Sequence, residues 1–221
     1  MTRGRPPFIV FEGADGAGKS TQVRMLADHL RAAGNDVVVT REPGGAPAAE
    51  AIRNLLVTGD VDAWSPLAET LMMYAARSEH LKATINPARD RGAIVVCDRF
   101  SDSTLAYQGA AGAVSAGFIE ALDREVVGSD APTLTIVLDV DDATARSRLA
   151  TRDGPFASGE TRFERKGTAY RQAVREAFRR IAAANARDHF LVDASADAGA
   201  VAAQVAARVD VDVEAWRGGD G

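Results

Sequence analysis

The chain is short of several things that would steer its chemistry. It has one cysteine, Cys97, among 221 residues. A single thiol closes no intrachain disulfide, and a thiolate-rich metal site needs several. Its three histidines, His29, His80 and His189, fall at no ligand-like spacing, so each reads as structural or exposed. No apolar run approaches the roughly 18 residues that suggest a membrane-spanning helix. The opening MTRGRPP is basic but has no apolar core of a secretory signal. Positive charge is not in excess either: 26 Lys and Arg stand against 31 Asp and Glu, a net charge of -5. A protein built to hold a nucleic-acid polymer would carry a basic footprint. A small anionic ligand asks only for a local cluster of cations. These absences predict a cytoplasmic protein with no membrane and no nucleic-acid polymer among its partners. What remains is an ordinary globular balance, 46% hydrophobic and 26% charged, in a length that suits one domain, residues 1–221.

Strand and helix signals alternate from end to end. Apolar runs predict strands at 7–11, 36–40, 93–97, 134–140 and 189–193. Helical spacing predicts helices at 20–33, 48–57, 67–81, 118–127, 143–150, 163–186 and 198–209. Gly34 is a C-terminal stop for the first helix, and Pro43-Gly44-Gly45 is a turn. Residues 153–161 read as irregular, and 218–221 as frayed. Strands that are apolar throughout, separated by helices, predict a five-stranded parallel sheet with helices on both faces, a three-layer α/β fold. Ligands in such sheets bind beyond the carboxyl ends of the strands.

Beyond the first strand lies Gly13-Ala14-Asp15-Gly16-Ala17-Gly18-Lys19-Ser20-Thr21. Its first eight residues fit GxxxxGK[ST], between a predicted strand and a predicted helix as a P-loop requires. The glycines let backbone N–H groups close around an anion, and the helix N-terminus adds free donors and a favourable dipole. Lys19 would reach the β- and γ-phosphates of ATP, and Ser20 would hold Mg²⁺. Asp98, after the third strand, is placed to be the second magnesium-organising carboxylate. Its neighbour Arg99 has two readings, a ligand for a second phosphate or a structural partner of Asp98.

Other arginines gather outside the loop. Arg41, Arg53 and Arg77 lie on different strand ends or helices, and Arg148, Arg152, Arg162 and Arg165 flank the irregular segment. An arginine-bearing lid over about 150–163 would suit phosphoryl transfer, where charge develops on the transferred group and water must be excluded. A solvated charged face is the competing reading.

Four stretches resemble bacterial thymidylate kinase, the P-loop family that transfers the γ-phosphoryl group of ATP to dTMP. They are Phe11 to Gln22, Thr40-Arg-Glu-Pro-Gly-Gly45, Tyr74-Ala-Ala-Arg77 and Asp98 to Gly109, in order and together with their spacing spanning about half the chain. Leu138-Asp-Val140 and Arg162-Phe-Glu164 extend the likeness. The resemblance implies a P-loop NTPase fold and a homodimer. It implies that Asp15 faces the sugar 3′-hydroxyl or the acceptor phosphate, and that Arg53 and Arg99 bind that phosphate. Glu42 would stand near the transferring phosphate and its metal. Arg77 would read the thymine base, with Thr104 and Gln108 as polar neighbours, and Tyr107 would shape the sugar pocket; read alone, a single tyrosine is equally a packing residue. Ala17 in a P-loop without arginine resembles the subtype whose lid supplies the catalytic arginine. Arg152 fits that place first and Arg162 second.

Two positions depart from the family pattern. Met73 stands where a phenylalanine usually stacks on the base, and Thr161 where an aspartate usually precedes Arg-Phe-Glu. Two rival readings stay open: a kinase for another nucleoside monophosphate, and a P-loop switch or regulatory ATPase. A switch would turn nucleotide over without an acceptor and would have little use for Arg53, Arg77 and Arg99.

Overall fold

A computed structural model describes residues 4–151 and 167–218. Five strands form one sheet: β1 (Phe8–Glu12), β2 (Val37–Arg41), β3 (Ile94–Asp98), β4 (Leu134–Asp139) and β5 (His189–Asp193). All pairs are parallel, and the order is β2-β3-β1-β4-β5. Each strand lies within one residue of its expected place.

Alternation along the strands builds two faces. Ile9 and Phe11 of β1, Ile94 and Val96 of β3, and Ile136 and Leu138 of β4 turn to one side. There they pack on α1 (Lys19–Ala32) and α9 (Ala198–Gly218). Phe8, Val10, Val95 and Cys97 turn to the other side, against Leu81, Ile85, Phe100 and Val127. On that same side Val137 meets α8 (Thr168–Ala184) through Val174, Ala177 and Phe178. Apolar contact on both faces is why these strands carry so little polarity.

The remaining helices are α2 (Pro47–Val57), α3 (Pro66–His80), α4 (Asn86–Asp90), α5 (Ser101–Thr104), α6 (Ala116–Val126) and α7 (Asp142–Ala150). Two wider π-helical turns, Leu81–Ile85 and Leu105–Ala110, extend α3 and α5. Neither α4, α5 nor these turns is expected from the apolar spacing.

The closing helix, expected to end at Val209, runs on to Gly218. Val205, Val209 and Val213 continue its buried stripe, and the Trp216 ring N–H donates to the Gly4 carbonyl at 2.8 Å. Of the long helix expected at 163–186, the described part is α8. Residues 152–163 of the expected lid, with Arg152 and Arg162, lie outside the described residues, as does Arg165. No described helix is long and apolar enough to cross a membrane.

Candidate active site

The order of the sheet puts β1 between β3 and β4, so the chain leaves the centre in both directions. That reversal opens a crevice at the carboxyl end of β1. Residues 13–18 fill it. Gly16 has φ +82°, and a Cβ there would come within 2.3 Å of the Ala145 carbonyl oxygen in α7. Only glycine lets the loop lie this close. Gly18 caps α1 in a left-handed conformation, and Thr21 N–H donates back to its carbonyl at 3.1 Å.

Lys19 curls over the loop. Its ammonium donates to the carbonyls of Gly13 and Ala14 at 3.0 and 2.9 Å. Burial and the nearby Arg99 push its pKa down to about 8, against the opposing pull of Asp98 and Asp15. Parallel pairing sets Asp98 beside Phe11. There the Ser20 hydroxyl donates to Asp98 Oδ2 at 2.8 Å. A hydroxyl and a carboxylate in contact make a hard-oxygen donor set that suits Mg²⁺.

Arg99 does not pair with Asp98 but turns to the loop. Its Nη1 donates to the Gly13 carbonyl at 3.1 Å and to Ser103 Oγ at 2.9 Å. Its Nη2 donates to Asp15 Oδ1 at 2.6 Å and to the Tyr107 hydroxyl at 3.1 Å. Tyr107 in turn donates to Asp15 Oδ2 at 2.9 Å. Burial works against the Asp15 charge, but Arg99 and Lys19 more than offset it and hold the carboxyl below its usual range. Arg99 sits at φ +72°, a conformation that costs a non-glycine residue about 1–2 kcal/mol. The four hydrogen bonds of its guanidinium hold it there.

Glu12, a charged residue ending a buried strand, organises the same segment. Its Oε1 accepts from the N–H groups of Phe100 and Ser103 at 2.8 and 3.0 Å, and its Oε2 accepts from Ser103 Oγ at 2.6 Å. Burial, with Asp102 nearby, raises its pKa to about 7 despite Arg99. Sequence reasoning passed over this residue. The signal was there: a lone acid at the end of Phe8-Ile-Val-Phe11 is costly unless it is used.

Arg77, only 2% exposed, lies on α3. Its Nε donates to Glu42 Oε2 at 2.9 Å and its Nη2 to Thr104 Oγ1 at 3.2 Å, while Nη1 is buried with no partner. The resemblance sets Glu42 beside the transferring phosphate. Here both its carboxylate oxygens are engaged, the second by His80 Nδ1–H at 3.0 Å, and its backbone N–H donates to the Asp98 carbonyl. His80 also meets Thr40 Oγ1 through Nε2 at 2.7 Å. Arg53 Nη1 donates to the Pro43 carbonyl at 2.6 Å. Gln108 is buried, with its Nε2 donating to Glu69 Oε2 at 3.1 Å. Met73, half-buried, lies on α3 between Glu69 and Arg77 at spacings of four. Arg148 reaches from α7 to the carbonyls of Ala17 and Ala194.

The expected residues thus form two adjoining groups. Lys19, Ser20 and Asp98 surround an anion cradle. Arg77, Thr104 and Gln108, with Met73 beside Arg77 on α3, form the second group, in which Arg77 Nη1 is a buried cationic donor without a hydrogen-bond partner among the described residues. Arg99, Asp15 and Tyr107 join the two. Arg152 and Arg162 fall outside the described residues.

Comparison with known proteins shows the family. A family model described as thymidylate kinase matches residues 11–205. The chain is 50% identical over 205 residues to the thymidylate kinase of Caulobacter vibrioides, covering 93% of this chain and 95% of that one. It is 46% identical over 202 residues to the thymidylate kinase of Afipia carboxidovorans, covering 91% and 88%. The crystal structure of thymidylate kinase from Ehrlichia chaffeensis superposes with a TM-score of 0.71 at 33% identity, covering 93% of this chain and 99% of that chain. A family model over residues 11–205 and half-identical relatives that align over nearly the whole chain make the conclusion plain: the chain belongs to the thymidylate kinase family.

Proposed function

We propose that this protein is a nucleoside monophosphate kinase that transfers the γ-phosphoryl group of ATP to dTMP, giving dTDP and ADP for dTTP synthesis. The observation that carries this reading is the bridge from Arg99 to Asp15. Asp15 belongs to the anion cradle, and Arg99, which also meets Tyr107 beside Gln108, sets next to that cradle a cation that a second phosphate could use.

Phosphoryl transfer asks a protein for positioning and charge neutralisation more than for covalent chemistry. The loop N–H groups and Lys19 would hold the donor phosphates. Lys19 gives up two carbonyl contacts to do so, which keeps its ammonium poised without a competing carboxylate. Ser20 and Asp98 would hold Mg²⁺, which neutralises phosphate charge when bound. Arg53 and Arg99 would hold the acceptor phosphate, Arg99 by exchanging the Ser103 and Tyr107 contacts that it makes here. Asp15, kept ionised, would orient the sugar side of the acceptor with Tyr107. Glu42 would act by holding Arg77 in the slot for the base. The arginine of the lid that completes the site would be Arg152, with Arg162 the second choice. We read the chain as one cytoplasmic kinase domain that pairs with a second copy. The outer leucines of α2 and α3 support that pairing, since Leu55, Leu67 and Leu71 are about half exposed.

The test is ADP release from ATP and Mg²⁺ with dTMP, dUMP, dCMP, dGMP or UMP, for the wild type and Arg77→Ala. Turnover should depend on dTMP and fall at least about a hundredfold in the variant, the size of effect seen when a buried polar match to a base is lost. Acceptor-independent hydrolysis would point instead to a switch ATPase.

A further inference from the structure

We propose that Glu69 is a positioning residue that sets which bases the slot accepts, by fixing the polarity of the Gln108 amide. The inference rests on the base-slot reading above. It concerns a residue to which neither the motifs nor the P-loop chemistry gives a task.

Glu69, Met73 and Arg77 recur every four residues, so they form one stripe along α3. Thr104 and Gln108 are likewise four apart, on the helical segment that faces it. The two stripes meet in two rungs, Arg77 to Thr104 and Glu69 to Gln108. Met73 lies between the rungs, half-buried. Glu69 is 2% exposed and Gln108 is buried. A buried carboxylate is costly unless its oxygens accept hydrogen bonds.

A glutamine amide can face either way, since its oxygen and its nitrogen occupy nearly the same space. A carboxylate accepts and does not donate. Glu69 therefore holds the NH2 end of Gln108, at 3.1 Å, and leaves the carbonyl end for the slot. That carbonyl oxygen has no partner among the described residues. The slot then offers Arg77 Nη1 as a donor and Gln108 Oε1 as an acceptor.

Thymine and uracil present the complement, a carbonyl at C4 and an N–H at N3. Cytosine presents the reverse on both, an amino group at C4 and a bare N3. It would set donor against donor and acceptor against acceptor, with both protein groups left unpaired. Removing the charge from Glu69 but keeping its shape frees the amide to turn. A glutamine at position 69 can offer either end, so Gln108 could then donate to cytosine N3.

The experiment is kcat/KM for dTMP, dUMP and dCMP in the wild type and in Glu69→Gln, with ATP saturating. The dCMP/dTMP ratio should rise about tenfold or more, as one relieved mismatch allows. The dUMP/dTMP ratio should stay where it was, because uracil and thymine share the same polarity. Equal rises for dCMP and dUMP would mean a slot that has merely loosened, and would overturn the inference, as would an unchanged dCMP/dTMP ratio in the folded variant. A wild type that turns over dTMP with either of these results retains the function proposed above. A wild type inactive on dTMP loses both readings.

Should Glu69→Gln fail to fold, the wild type itself carries the test. The side-chain amide resonances of Gln108, assigned by their loss in Gln108→Leu, should exchange slowly and stay put on dTMP binding. Resonances that move strongly with dTMP would put the NH2 on the base and end the proposal.

Discussion

At the scale of single residues, two side chains sit where the fold would not ask for them. Arg99 occupies a left-handed backbone position that suits glycine. Its guanidinium is needed there for Asp15, Ser103 and Tyr107, so function and local strain oppose each other. Arg99→Gly and Arg99→Ala should both lose most dTMP-dependent activity. Yet the glycine variant should be about 1 kcal/mol more stable than the alanine variant, because only alanine keeps the steric conflict. Urea melts of the two decide it, and equal midpoints would mean that position 99 is unstrained. Met73 is the second case. On the proposed reading it would flank the base where the family pattern has phenylalanine, and a thioether packs on a ring with less area than an aromatic face. Met73→Phe should lower the KM for dTMP by roughly two- to tenfold, the worth of an added ring pair at about 0.5–1.5 kcal/mol. An unchanged KM together with an unchanged dUMP/dTMP ratio would show that the methionine already fills the slot.

At the scale of elements, the short helix α5 and its π-helical continuation carry Thr104, Tyr107 and Gln108, and β5 anchors α5. His189, at the start of β5, is set between Asp102 and Asp188, both at 2.8 Å. Burial lowers its pKa, but the two carboxylates outweigh this and raise it to about 9, with hydrogen bonding and charge from Asp102 foremost. A raised folded value means stability that is complete below the unfolded value near 6.5 and lost as pH rises through 9, worth about 3 kcal/mol at most. Glu12 loses stability in the same sense but earlier, between its ordinary value and about 7. Lys19 works the other way, since its depressed value relieves a penalty as pH rises above about 8. Comparing the wild type with His189→Gln cancels both. Between pH 7 and 10 the wild type should lose about 2–3 kcal/mol of unfolding free energy relative to the variant. Parallel curves would mean that the histidine is neutral in the fold.

The same elements show where sequence reading succeeds and where it stops. The five strands were legible because burial on both faces leaves unbroken apolar runs such as Phe8-Ile-Val-Phe11. The P-loop was legible because its glycines answer to backbone geometry. The Ser101–Ala110 segment was not, as a helix, because its buried residues mix polar Thr104 and Gln108 with Ala106 and Tyr107 of the core, and a π-helical turn breaks the 3.6 spacing. Glu12 and Glu69 escaped for a related reason. Each acts on a neighbour that is distant in sequence, Ser103 for one and Gln108 for the other.

At the scale of the molecule, α3 has two faces with two uses. Glu69, Met73 and Arg77 lie on one face, where Glu69 and Arg77 meet Gln108 and Thr104. Leu67 and Leu71, offset by half a turn, are 51% and 47% exposed. Leu55 on α2 is 52% exposed, and Trp64 between the two helices donates its ring N–H to the Leu55 carbonyl. Large apolar side chains exposed on adjacent helices are a cost in water, and such a surface would suit an interface. A second copy of this chain, meeting the first across a twofold axis, would cover α3 with its own equivalent face. The helix that carries Arg77 would then be backed by the partner rather than by water. Leu71→Asp puts a charge in that contact and nothing in the slot. It should shift sedimentation from dimer to monomer. Because α3 would lose its backing, the KM for dTMP should rise at least about fivefold, as about 1 kcal/mol of lost positioning would give, while the KM for ATP, bound by a loop on the far side of Arg99, holds within about twofold. A wild type that sediments as a monomer would remove the second copy from the account. A monomeric variant with both Michaelis constants unchanged would keep the dimer but separate it from base recognition.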